Sequence, residues 1–365
     1  MTTILGIDLG KFKSVFCTFS PETGEIQYDS FPTCKKAFRK FLMKTAPTMT
    51  LFEVSTAAGW VYDLCCELGL PCNVANPLGE AWQWRKVKRK TDRDDAYKLI
   101  RLHLLGELPT VHMVPLESRQ RRALITFRQR LIERRTAIRN HIRALFQAHG
   151  LNLPPGHKAW TDEARTWWGT AYGQPLSACG VDDLWRGEVQ VELVLLESLE
   201  SQIKAVEKKL DSLAKAHAGV ELLKTIPGVG VRTAEVIAAY LDDPHRFRNA
   251  RQVSAYAGMV PRQFQSGTID RKGRITKRGP SYLRKILVEC AWLMPRYNPW
   301  AAQLVERISR GQKRRRKSAV VALARKLLVR CWAMLRKREP WKLPESAAAP
   351  PGTPEHQPDP ILSNA

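Results

Sequence analysis

Three acids in four positions, Asp92, Asp94 and Asp95, follow a basic run that holds Arg85, Lys86, Lys88, Arg89 and Lys90 together with Trp82 and Trp84. Ala96, Leu99, Ile100 and Leu102 then recur at helical spacing, so the acids open a helix. Asp92 and Asp95 stand at i and i+3 on one face, and Asp94 points off it. Taken alone, the pattern is better explained by an N-cap whose acids offset the helix dipole. Two further acids change the balance. Asp8 closes the apolar run from Ile4 to Ile7, which by itself is only a strand-end acid in a turn. Glu53 sits inside Leu51-Phe52-Glu53-Val54, where a carboxylate is costly to bury without a partner. Four carboxylates meeting at one point would repel one another unless cations were bound between them. Their hard oxygens suit Mg2+ or Mn2+, and two such ions flanking a phosphodiester stabilise its attacking and leaving oxygens.

A fifth residue is Ser266. Before Gly267 it reads locally as a turn serine. It lies, however, in the most basic loop of its half, with Arg262, Arg271, Lys272, Arg274 and Lys277 around it. Such a loop suits holding a phosphate and its developing charge. A serine hydroxyl there is a nucleophile only if something activates it, as a metal cluster would.

The elements that must position these groups follow from periodicity. Residues 3–9, 15–19, 26–31, 49–54 and 72–75 read as strands, and 35–44 and 59–68 as helices, giving β-β-β-α-β-α-β before the helix after Asp92. That is the order of ribonuclease-H-like folds, in which the first and fourth strands are neighbours and would bring Asp8 beside Glu53. Residues 116–150 form a long helix rich in arginine, Arg128, Arg135 and Arg139 among them, with few acids, which favours a surface that tracks phosphates. Residues 152–187 read as irregular, a small packed insert or a hinge, and their tryptophans (Trp160, Trp167, Trp168, Trp185) as core filling rather than base stacking. From residue 188 a second long helix carries a heptad seam, Leu196, Leu199, Ile203, Val206, Leu210 and Leu213, that pairs with one other helix in the same or a second chain. Thr225 to Ala234, with Gly228 and Gly230, reads as a helix-hairpin-helix whose backbone amides approach a phosphate. Pro280 starts a further helix, and Ser318 caps a last one with Arg325, Lys326, Arg330 and Arg336 outward. The fold class is therefore α/β plus α. A ribonuclease-H-like (RuvC-like) domain covers 1–110, a helical, coiled-coil region with the Trp-rich insert 111–218, a mainly helical C-terminal domain 219–343, and a disordered Pro-rich tail 344–365.

Charge bounds the partners. Lys plus Arg number 59 against 35 Asp plus Glu in 365 residues, a formal charge of +24, which attracts polyanions and makes nucleic acid the default partner. No run of eighteen apolar residues is present, so no membrane is expected, and the chain opens on a strand-like run rather than a signal peptide. The eight cysteines include no CxxC pair and lie mostly in apolar runs, so they read as reduced core residues of a cytoplasmic protein without a zinc site. Asp8-Leu9-Gly10-Lys11 also looks like the first phosphate loop of actin-like kinases, but the second Asp-x-Gly loop and Gly-Gly adenosine site those enzymes need are missing.

With these residues in view, the chain resembles the DEDD transposases of the IS110 family over about residues 3–340. Gly6-Ile7-Asp8 with Lys11, the strand with Glu53, Asn76-Pro77 and Thr91-Asp92-x-x-Asp95-Ala96 resemble its RuvC-like N-terminal domain. Ile226-Pro227-Gly228-x-Gly230, Ala255-Tyr256-Ala257-Gly258-Met259-x-Pro261, Ser266-Gly267, Ile275-x-Lys277-x-Gly279 and Leu283-Arg284 resemble its C-terminal transposase domain. The resemblance implies that Asp8, Glu53, Asp92 and Asp95 are metal ligands and that Ser266 forms a phosphoserine link with DNA. It implies strand exchange through a junction, donor and target DNA and a structured guide RNA as partners, a homodimer or homotetramer whose two kinds of domain combine across subunits, and a bacterial, nucleoid-associated location. Departures are Thr276, where several relatives have Ser, and the long insert at 152–187. Two other readings of the same residues stand: a RuvC-type junction endonuclease using metal-activated water, with Ser266 only a turn residue, and a non-catalytic nucleic-acid-binding protein.

Overall fold

In the computed structural model the described residues are 2–77, 79, 91–266 and 269–343. The basic run from Arg85 to Lys90, Gly267 and the tail 344–365 lie outside them. The chain divides into two compact units, Met1–Arg119 and Gln120–Ala365. The regions expected at 111–218 and 219–343 thus fall almost wholly within one unit.

The first unit is built on five strands: β1 (Ile4–Asp8), β2 (Lys13–Phe19), β3 (Ile26–Pro32), β4 (Met49–Glu53) and β5 (Cys72–Ala75). Their spatial order is β3-β2-β1-β4-β5, the order a ribonuclease-H-like sheet requires. The β1–β2 and β2–β3 pairs are antiparallel, and β1–β4 and β4–β5 are parallel. The alternation of side chains explains why β1 is apolar throughout. Leu5 and Ile7 meet Phe38 and Leu42 of α1 (Lys35–Thr45) and Val61 and Leu64 of α2 (Ala58–Glu67) on one face. Ile4 meets Leu99 and Ile100 of α3 (Asp92–Leu104) on the other.

The second unit begins four residues into α4 (Leu116–Ala148) and continues through α5 (Asp162–Tyr172), α6 (Leu184–Lys215), α7 (Ala218–Lys224), α8 (Val231–Leu241) and α9 (Ala250–Tyr256). A two-stranded ribbon, β6 (Pro261–Ser266) and β7 (Ile269–Ile275), precedes α10 (Ser281–Leu293), α11 (Pro299–Ser309) and α12 (Arg316–Lys337). Four expectations are corrected here. The insert at 152–187 is not irregular: it holds α5, and Trp160, Trp168 and Trp185 pack with Phe146 into a small aromatic core. The basic loop around Ser266 is the antiparallel ribbon. α12 starts two residues ahead of Ser318, with Arg315 in the cap position. The cysteines are all free, but Cys34 and Cys66 are exposed and Cys72 and Cys179 half-buried, so only four of the eight are core residues.

The heptad seam of α6 finds its partner inside the chain. Leu199 and Ile203 pack on Leu131 of α4. The arginines of α4 meet acids of α6 in antiparallel order. Arg128 donates to Glu207 at 2.7 Å, Arg139 pairs with Glu200, and His141 lies 2.9 Å from Glu192.

Candidate active site

Asp8 ends β1 and Glu53 ends β4, and the parallel register Ile7↔Phe52 puts the two acids on neighbouring positions at the same end of the sheet. By the period of two, Asp8 shares its face with Ile4 and Gly6, and Glu53 shares its face with Leu51. Ile4 and Leu51 belong to the core under α3, so both acids lie on the α3 face. Gly6 brings that helix close: a Cβ there would sit 2.2 Å from the Ala96 carbonyl oxygen and 3.0 Å from Ile100 Cγ1. This contact fixes the first turn of α3 over β1, two residues from Asp8. Asp95 immediately precedes Ala96 and is half-buried, and Asp92 lies one turn earlier and is exposed.

The cap of α3 is formed without these two acids. Thr91 Oγ1 accepts from the Asp94 amide at 3.3 Å and donates to Asp94 Oδ2 at 2.6 Å, a reciprocal arrangement that uses Asp94 alone. Asp8, Glu53 and Asp95 are each engaged in an interaction. Lys98, three residues after Asp95, is buried and also engaged. It went unnoticed in the sequence, although its helical spacing from Asp95 was the available signal. Among the described residues no three carboxylate, imidazole or thiol groups converge closely enough to hold one ion. The chemistry of the donors nevertheless fits Mg2+ or Mn2+: all are carboxylate oxygens, two at one end of the sheet and two on the first turn of α3.

Ser266 is the last residue of β6 and pairs with Ile269, the first residue of β7. All of β6 is exposed. Cross-strand partners share a face, so Phe264, Arg271, Ser266 and Ile269 lie on one side of the ribbon and Gln263, Gln265, Asp270 and Lys272 on the other. Two-stranded ribbons are marginal on their own, and this one is clamped at its base. Thr276 N donates to Val260 O at 2.8 Å and Lys277 N to Gly258 O at 3.0 Å. Gly258 (φ 65°) and Gly279 (φ 99°) run so close to the facing backbone that a Cβ on either would lie 2.0 Å from a carbonyl oxygen. Arg284 of α10 ties the clamp, donating to Ala257 O at 3.1 Å and Gly279 O at 2.8 Å. Its positioning part was missed in the sequence, where only its place in a motif marked it.

The remaining expected nucleic-acid residues fall into two groups. Arg262, Arg271, Lys272 and Lys277 are exposed on the ribbon or its base. Arg128 and Arg139 are already taken by Glu207 and Glu200, and Arg135 is half-buried on the same helix. Arginines read as a phosphate-tracking surface therefore hold α4 to α6. The Thr225–Gly230 turn joins α7 to α8, and Gly228 (φ 89°) packs against Met294 Cα at what would be 3.2 Å from a Cβ, a packing reason for the glycine. Gly230 caps α8 with no side-chain hydrogen bond to the first turn.

Carboxylates at the end of an α/β sheet and a serine in a basic ribbon are compatible with phosphoryl transfer on nucleic acid. A model of DEDD transposases of the IS110 type matches residues 5–150, and one described as the transposase IS116/IS110/IS902 family matches residues 220–306. The chain belongs to the IS110-type transposases, which are DNA phosphoryl-transfer enzymes. The transposase for insertion sequence element IS1111A of Coxiella burnetii is 29% identical over 93% of this chain and 91% of its own length. A probable family 20 transposase of Pseudomonas aeruginosa is 29% identical over 91% of this chain and 96% of its own. The pilin gene-inverting protein of Moraxella lacunata is 33% identical over 33% of this chain and 38% of its own. Thermus thermophilus RuvC in complex with a Holliday junction substrate aligns to 30% of this chain and all of its own at 12% identity, with a TM-score of 0.23. Among the described residues no helix is long and apolar enough to cross a membrane.

Proposed function

We propose that this transposase is a divalent-metal-dependent DNA recombinase that cuts and rejoins strands through a covalent link to Ser266. The observation that carries the reading is the shared face of Asp8 and Glu53 with α3 laid over it through Gly6. Asp8, Glu53, Asp92 and Asp95 would hold Mg2+ or Mn2+, which when bound neutralises charge on a phosphodiester and sharpens a nucleophile. Ser266 Oγ forms a bond to phosphorus as the bond from phosphorus to the departing strand's oxygen breaks. The serine gives up its proton and the departing oxygen takes one up. One phosphoester replaces another, so an incoming strand's hydroxyl can reverse the step and release the serine. Arg271, on the same side of the ribbon as Ser266, would meet the growing negative charge.

The finer assignments follow from the family resemblance. A structured guide RNA pairs with donor and target DNA, and the enzyme works as a homodimer or homotetramer at the bacterial nucleoid. The N-terminal domain (1–110) supplies the carboxylates, 111–218 the helical support, and 219–343 the serine. Exposed Arg262, Lys272 and Lys277, the basic run Arg85 to Lys90, and the α8 terminus at Gly228 and Gly230 contact nucleic-acid backbone. Arg128 and Arg139 serve first as the fastening of α4 to α6, and Arg135 is half-buried beside them.

The test is recombination between donor and target plasmids in cells. Asp8→Asn, Glu53→Gln, Asp92→Asn, Asp95→Asn and Ser266→Ala should each abolish it while the purified proteins keep their circular dichroism and bind DNA. Recombination that survives any of the five removes that residue from the machinery.

A further inference from the structure

α9 and α12 pack side by side and leave between them a groove of about 440 Å³. Its rim carries Arg251 from α9 and Arg325, Lys326 and Arg330 from α12. No acid is among the residues that line it. None of the four cations has a carboxylate partner among the described residues, unlike Arg128, Arg139 and Arg165, which are all paired. Residues 325, 326 and 330 recur at i, i+1 and i+5, one face of a helix that holds seven Lys and Arg and no Asp or Glu along its 22 residues. Four unpaired cations held along one groove repel one another, and a run of phosphates relieves that repulsion while releasing counterions.

We infer that this groove binds the sugar-phosphate backbone of DNA. The choice of DNA rests on the reading of Ser266 as the DNA-linking residue. Val260 lines the groove and is the residue immediately before β6, the strand that ends at Ser266. Six strand residues span about 20 Å, which is about six phosphates along one strand of a duplex. A duplex lying along the ribbon would therefore reach the groove within one helical turn of the phosphate at Ser266. Contacts from these cations to phosphate fix position and carry no sequence information of their own.

The test measures equilibrium binding of the full chain to a DNA duplex of arbitrary sequence, and to a hairpin-rich RNA of equal length, across a salt series without divalent cation. The variant is Arg251→Gln, Arg325→Gln, Lys326→Gln and Arg330→Gln together, with single Lys326→Gln and Arg330→Gln proteins in case the quadruple variant folds poorly. Against DNA, the slope of log affinity on log salt should fall by about 0.9 per removed cation. A control variant loses four exposed lysines of α1 (Lys35, Lys36, Lys40, Lys44) and the same net charge; its slope should stay near that of the wild type. An unchanged DNA slope overturns the inference. So does a fall seen with RNA alone, or an equal fall in the control. Because no strand is cut, the result stands apart from that for Ser266: loss of the serine link with an intact groove slope sinks the serine reading alone.

Discussion

A methyl group added at residue 6 should damage the proposed active site more broadly than a carboxylate removed at residue 92. Gly6→Ala sets a Cβ 2.2 Å from a backbone oxygen of α3, which cannot move without lifting the helix that carries Asp92 and Asp95. We expect a stability loss of about 1–3 kcal/mol, as for other overpacked sites, together with loss of recombination. Thermal unfolding and the plasmid assay read the two effects. Asp92 is exposed, so Asp92→Asn should change stability by no more than about 0.5 kcal/mol and still abolish recombination. A melting point lowered as far as in Gly6→Ala would make Asp92 a structural residue. Glu53 stood out in the sequence because an acid within an apolar strand is costly to bury without a partner, whereas Asp8 alone read only as a strand-end acid and gained weight beside it. Gly6 was not legible, since its purpose depends on a helix ninety residues away that no local pattern announces.

Long-range pairing of elements also explains what the charge pattern concealed. α4 shows almost only positive side chains, and by itself looks made for phosphates. Its acids are on α6, some sixty residues later, where Glu200 takes both Arg139 and Arg165. Both partners of the Arg139–Glu200 pair are mostly buried, at 25% and 18% exposed, so a double-mutant cycle with alanine should give a coupling of about 1 kcal/mol. Zero coupling, with DNA affinity lost in Arg139→Ala alone, would return this arginine to nucleic acid. The strands and helices of the first unit were readable to within a residue or two because their periods differ, 2 against 3.6. The ribbon was not, because β6 and β7 are mostly polar and exposed and leave no sustained hydrophobic alternation. What holds the ribbon is its base. Gly258→Ala forces a Cβ into the Arg278 backbone at φ 65°, and should cost about 1–3 kcal/mol and lower recombination while Ser266 remains in place. Limited proteolysis would show earlier cutting within 261–275 in this variant, and an unchanged pattern would contradict the clamp.

Across the whole molecule, pH reports on how the second unit tolerates its buried charge. Burial pushes the Glu235 carboxyl above its ordinary 4.5, against the pull of Arg232 at 2.7 Å. The native state therefore holds that proton more tightly than the unfolded chain. The contribution of this group is fully present below pH 4.5 and is lost as pH rises through its native value. Glu235→Gln cannot titrate, so its urea midpoint relative to wild type should be higher at pH 7 than at pH 4.5. The reverse order would mean that the ion pair outweighs the burial. The net charge of +24 belongs to this scale too. It correctly pointed to nucleic acid, but did not separate arginines that bind protein from those left free on α12 and the ribbon.

The most direct measurement uses a suicide DNA substrate carrying the element's junction, with Mg2+ and the cognate RNA, and asks for a protease-sensitive protein-DNA adduct. The adduct should form in wild type, vanish on chelating the metal or in Asp92→Asn, and be absent in Ser266→Ala. Cleavage without an adduct, unaffected by Ser266→Ala but lost in Asp92→Asn, would contradict the serine mechanism and leave a metal-dependent junction nuclease.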